Sequence, residues 1–165
     1  WRSWCGMARR RSIRARLRRA RELGLAEWAL LSEAAICLAL ARLVLRFVPF
    51  ERIGRRLGVF VSPQEARAGA AAPSDPPRAA LLAARVGWAV RAAARHVPFA
   101  AVCLPQAIAA RMMLQRRGVA SVLHFGVAKG MTGKPFDAHA WLDAAGVEVT
   151  GFPVARAFTE LGCFV

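Results

Sequence analysis

Tyrosine is absent, acidic residues are scarce and the few cysteines stand apart. Each shortage removes a class of protein from consideration. Without tyrosine, the aromatic side chains are nine phenylalanines and five tryptophans. They are not interleaved with the arginines as a base-stacking platform requires, so no nucleic-acid partner is expected. The four cysteines, Cys5, Cys37, Cys103 and Cys163, include no C-x-x-C pair, and the three histidines are scattered. That spacing indicates neither a structural zinc site nor a disulfide framework. No metal and no cofactor are expected, and a reducing cytoplasm suits the thiols. A long uninterrupted apolar run is also missing. Glu27, Glu33, Arg42 and Arg46 break the stretch from Ala26 to Phe47, and its uncharged part, Ala34 to Ala41, falls short of the ~20 residues of a spanning helix. A buried helix is the first expectation there, and an amphipathic helix lying on a membrane surface the second.

What is present is a largely apolar, strongly basic chain. Of its 165 residues, 56% are hydrophobic, which excludes a disordered chain and is enough for one core. Lysine and arginine outnumber aspartate and glutamate by 25 to 10, a formal charge of +15. Nine of the arginines lie at Arg2 and between Arg9 and Arg21, a field that by charge alone favours nucleic acid, anionic lipid or an acidic polypeptide. The residues before Met7 read as an upstream extension without structural weight. The organisation predicted is a basic arm over 1–25, with a helix over 9–23, and a helical subdomain over 26–61. A Pro- and Gly-rich linker loop follows over 62–77, then a core over 78–165. Within the core, helices are expected over 78–96 and 103–117, and a strand over 119–129. A hairpin of strands 138–143 and 147–151 should turn through Ala144, Ala145 and Gly146. Helices followed by helix, strand, strand, strand predict an α+β domain with an antiparallel sheet packed on helices.

Cys103 follows the helix breaker Pro98 and opens the run Leu104-Pro105-Gln106-Ala107. A proline in the first turn costs a helix nothing, because its missing N–H would have no partner there. A thiol at a helix start is activated by the unpaired N–H groups and the dipole, which stabilise the thiolate. His139 stands in Asp137-Ala138-His139-Ala140-Trp141-Leu142. On a strand it shares a face with Trp141, which would brace the imidazole as a general base. His96, at a helix end, and His124, in mid-strand, are rivals, each explained by a structural role. Cys103 as nucleophile and His139 as base define a cysteine hydrolase site.

Cys103-Leu104-Pro105-Gln106-Ala107, Arg116-Arg117-Gly118-Val119, Phe125-Gly126-Val127 and Ala138-His139-Ala140-Trp141-Leu142 together resemble the leader peptidase of lasso-peptide biosynthesis. That family belongs to the transglutaminase-like cysteine peptidases. The separation of 36 residues between Cys103 and His139 suits it. The resemblance implies N-terminal helices packed on a transglutaminase- or papain-like core. It also implies removal of the leader from a ribosomally made precursor, so that the core peptide can be cyclised. The implied partners are the precursor's leader, a separate winged-helix leader-recognition protein and an asparagine-synthetase-like cyclase. The implied setting is cytoplasmic, with contact at the inner membrane face left open.

In the family an aspartate on the strand after the histidine orients the imidazole. A three-residue hairpin loop puts Gly151 opposite His139, and glycine has no carboxylate. Glu148 is the first substitute, if a register slip or bulge turns it to the histidine's face. Asp137 is the second, with Asp143 further off. A backbone carbonyl is a fourth way to orient the ring. Gln106, three residues after the cysteine, is a candidate oxyanion donor. Two other classes stay open: a catalytically silent scaffold of the same complex, and a basic module for membrane or nucleic acid.

Overall fold

The computed structural model describes residues 23–69, 75–130 and 135–165. The basic helix expected over 9–23 lies, but for its last residue, outside them. Helix α1 runs Leu25–Phe47, as its run of Ala and Leu predicts. The Glu27 carboxylate accepts from the N–H of Gly24 at 2.7 Å, and the chain turns extended at Val48, ahead of Pro49. Leu30, Ala34, Cys37, Leu38 and Ala41 bury one face. Leu25, Ile36, Leu40, Leu43 and Phe47 leave an opposite apolar stripe exposed. By length and composition alone α1 could cross a membrane, yet it packs on the helices Pro76–Ala94 and Cys103–Gln115.

Helix α2, Phe50–Leu57, buries Ile53 and Leu57, one turn apart. Strand β1, Phe60–Val61, is followed by α3, Pro63–Gly69. That helix lies inside the segment expected to be a loop. Its cause is a capping box: Ser62 Oγ accepts from the Glu65 N–H at 3.3 Å, and the Glu65 carboxylate accepts from the Ser62 N–H at 2.8 Å. Helix α4, Pro76–Ala94, starts two residues earlier than expected because Asp75 caps it, accepting from the Arg78 N–H at 3.1 Å, with prolines in the first turn. Helix α5, Cys103–Gln115, is the central one. It packs on α1, α4 and the sheet, and buried Ala107, Ile108, Ala110, Met113 and Leu114 cover most of its circumference.

Among the described residues the sheet has five strands rather than the expected three, in the spatial order 60–61, 159–164, 122–129, 136–144 and 147–150, and every pairing is antiparallel. Its remaining strands are β2 (Val122–Lys129), β3 (Phe136–Ala144), β4 (Val147–Thr150) and β5 (Thr159–Phe164). The pairing of β1 with β5 joins the helical segment and the core in one sheet. Leu123, Ala140, Leu142, Ala144, Val149 and Phe164 enter the same core cluster as the helices. Buried Arg111 of α5 clamps this layer, donating to the carbonyls of Ser121 at 2.8 Å and Phe164 at 3.0 Å. Burial lowers the pKa of that guanidinium. The mixed α+β class, with helices preceding and covering an antiparallel sheet, is the one predicted.

Candidate active site

Cys103 is the first residue of α5, after an extended Val102. The sulfur is partly exposed and touches the core. Pro105 is buried within the first turn, where it leaves no backbone donor missing. Gln106 bonds to the loop before the helix, its Nε2 donating to the Ala101 carbonyl at 2.6 Å.

His139 lies on β3, opposite Gly126. Its ring is stacked on Trp141, with centroids 5.9 Å apart, and tilted against Phe158 at 5.2 Å. Nε2–H donates to the Gly151 carbonyl at 2.7 Å. That bond fixes the tautomer and leaves Nδ1 as the basic nitrogen. Of the four orienting groups open in the sequence, the structure joins the backbone carbonyl to the ring. Gly151 has φ +84°, and a Cβ there would lie 2.6 Å from the Ala140 carbonyl oxygen, so no side chain replaces it without strain.

The three carboxylates stand at different points along the sheet. The hairpin turns through two residues, Ala145 and Gly146, at φ 49° and 75°, the left-handed pair of a tight hairpin. A register shift follows between Leu142 and Asp143. The three-residue loop of the sequence reading is therefore one residue too long. Glu148 pairs with Asp143, which puts it on the face of His139 but two pleat repeats along the strand, roughly 13 Å away. Asp137 shares that face one repeat in the other direction. Asp143 is committed to a different ring: its Oδ1 lies 3.2 Å from Nε2 of His124.

His124 carries more than its place in the sequence suggests. Nδ1 meets Glu160 Oε1 at 2.5 Å, and the ring lies parallel to Trp141, with centroids 5.4 Å and planes 2° apart. Burial is the largest single influence on its pKa and lowers it, but the hydrogen bonds and charges of Asp143 and Glu160 together raise it above the ordinary value. The sequence offered no sign of this group, because β5 was not foreseen. His96 does what was expected, its Nδ1 capping the Ala92 carbonyl at 2.9 Å.

The nucleophile and the base are less directly joined than the sequence reading requires. Ala140 and Leu142 point into the helix-packed core, so alternation turns His139 and Trp141 to the other face of β3. Among the described residues no hydrogen bond links Cys103 Sγ to the His139 ring. A cavity of about 330 Å³ bordered by Leu30, Glu33, Leu82 and Arg117 touches neither residue.

The family profile described as transglutaminase-like superfamily matches residues 44–163, a span that contains both Cys103 and His139. The chain belongs to the transglutaminase-like superfamily, and its helix-then-sheet core is a cysteine peptidase-type fold. Searches of curated proteins and of solved structures each return no match.

Proposed function

We propose that this protein is a cysteine peptidase that removes the leader of a lasso-peptide precursor. The observation that carries the reading is the superfamily match enclosing a helix-start thiol and a strand histidine, with the histidine held in one tautomer. Cys103 is the nucleophile. Its proton passes to Nδ1 of His139, the thiolate attacks the scissile carbonyl, and the N–H groups at the start of α5 receive the oxyanion. His139 then gives the proton to the departing amine. Water, deprotonated by the same ring, hydrolyses the acyl-enzyme. Trp141 braces the ring, and the Gly151 carbonyl stands in for the usual carboxylate. The proton transfer requires a movement that brings Sγ and Nδ1 together, because His139 stands on the face of β3 turned away from the helix-packed core.

The partners proposed with it are the precursor leader, a winged-helix recognition protein and an asparagine-synthetase-like cyclase. The setting proposed is cytoplasmic, with the exposed apolar stripe of α1 resting on the inner membrane face. The missing bond between Cys103 and His139 favours a second reading, a scaffold of the same complex that no longer cuts. One experiment separates the two. The purified chain is incubated with cognate precursor and recognition protein, and the products are weighed by mass spectrometry. Cleavage that disappears in Cys103→Ala and drops about 10²–10⁴-fold in His139→Ala supports the peptidase. Intact precursor with the unaltered chain leaves the scaffold, and cleavage that survives in Cys103→Ala removes the assignment.

A further inference from the structure

We infer that His124, Glu160 and Cys163 form a binding site for a divalent transition-metal ion, with zinc the best chemical fit. The donor atoms of these three residues lie within 4.8 Å of one another. Cys163 and His124 are direct cross-strand partners on β5 and β2. Glu160 lies three positions before Cys163, so in a regular strand it would face the other way. The register shift at Phe125 and Gly126 leaves Leu161 unpaired and returns Glu160 to the shared face. A bulge that re-aims a side chain in this way is common beside functional sites.

The donor set is an imidazole nitrogen, a thiol sulfur and a carboxylate oxygen, each a zinc ligand. Tetrahedral bonds of about 2.0–2.3 Å hold donors roughly 3.3–3.7 Å apart. Binding therefore needs the Nδ1–Oε1 pair, now at 2.5 Å, to open by roughly 1 Å. It also needs two protons to leave to solvent, one from the Cys163 thiol and one from Nδ1 of His124, now donated to Glu160. That thiol makes long contacts to the carbonyls of Val61, at 3.8 Å, and Ser62, at 4.0 Å.

A second observation points to a ligand. Asp143 engages Nε2 of His124 at 3.2 Å, the arrangement that orients metal-binding histidines by placing a carboxylate on the far ring nitrogen. It aims Nδ1 toward Glu160 and Cys163, and loss of the proton that Nδ1 now donates to Glu160 would free a lone pair there. The parallel Trp141 ring holds the imidazole plane. Three protein donors leave a fourth position for water. The spacing of residues 124, 160 and 163 has no metal signature because the site comes from two strands and a bulge. A bound ion would cross-link β5 to β2.

The test uses the full chain, stripped with chelator and kept reduced. Cobalt(II) is titrated in as a spectroscopic stand-in, then zinc is added. The result expected is one equivalent of cobalt with a thiolate-to-metal charge-transfer band, displaced by zinc. The band is lost in Cys163→Ser and kept in Cys103→Ala. Asp143→Asn weakens binding about 10–100-fold. If Cys163→Ser fails to fold by circular dichroism, Glu160→Gln decides, and it should lower the affinity for cobalt. No stoichiometric uptake at micromolar metal, a band that vanishes in Cys103→Ala, or unaltered affinity in Glu160→Gln would overturn the site. The assay contains no peptide, so its outcome is independent of the peptidase reading.

Discussion

Cys103 and Cys37 differ in nothing but their surroundings, and those surroundings should set their reactivity. Cys37 is fully buried on α1, and burial is the chief reason its pKa is raised. Cys103 is partly exposed at a helix start, where a reagent in solution can reach it. Iodoacetamide at pH 7 should therefore alkylate Cys103 well before Cys37, as read by peptide mapping. Equal rates in the folded protein would argue against an activated sulfur. Gly151 makes a second residue-scale prediction. Its left-handed backbone and the Ala140 oxygen beside it mean that Gly151→Ala destabilises by more than about 1 kcal/mol in urea denaturation. Gly151→Asp should neither stabilise the fold nor raise activity, because the missing carboxylate has no room there.

Between elements, Glu33 of α1 is held by the two arginines just after α5. Its carboxylate receives Arg117 at 2.5 and 3.0 Å and Arg116 at 3.3 Å. The Arg117 hydrogen bond is the largest cause of its lowered pKa. A carboxyl with a folded pKa below the unfolded value of about 4.3 contributes fully above that value and loses its contribution as pH falls through the folded one. Glu33→Gln should cost about 1 kcal/mol near neutrality. The gap in melting temperature from the unaltered chain should close below about pH 4, and a gap that stays constant to pH 3 would contradict the linkage. At this scale local signals were readable and distant ones were not. The run over α1, the Pro98 break before α5 and Gly118 after it all marked boundaries in the sequence. The Ser62–Glu65 box was equally visible, but the prolines and glycines around it masked it. β5 carried no alternation to read, since Gly162 and the bulge at Leu161 interrupt it.

The whole molecule joins a net charge of +15 to an exposed apolar stripe on α1. Those are the two ingredients of peripheral binding to anionic lipid. Vesicles containing phosphatidylserine should retain the chain and release it as salt rises, and Leu43→Glu with Phe47→Glu should weaken retention. Binding unaffected by that double change would place the stripe against a protein partner instead.

Local chemistry was settled by the chain itself: a helix opening at Cys103, a strand carrying His139 and Trp141 on one face, and an α+β order of elements. These follow from neighbours within a few residues, where proline, glycine and side-chain alternation act directly. Which groups meet across the sheet was decided only by tertiary structure. A two-residue turn in place of three turned Glu148 to the face of His139 but left it two pleat repeats away, a glycine carbonyl took the orienting role, and one bulge gathered His124, Glu160 and Cys163. Register and bulges depend on how two distant segments pack against each other, and neither segment carries that information alone.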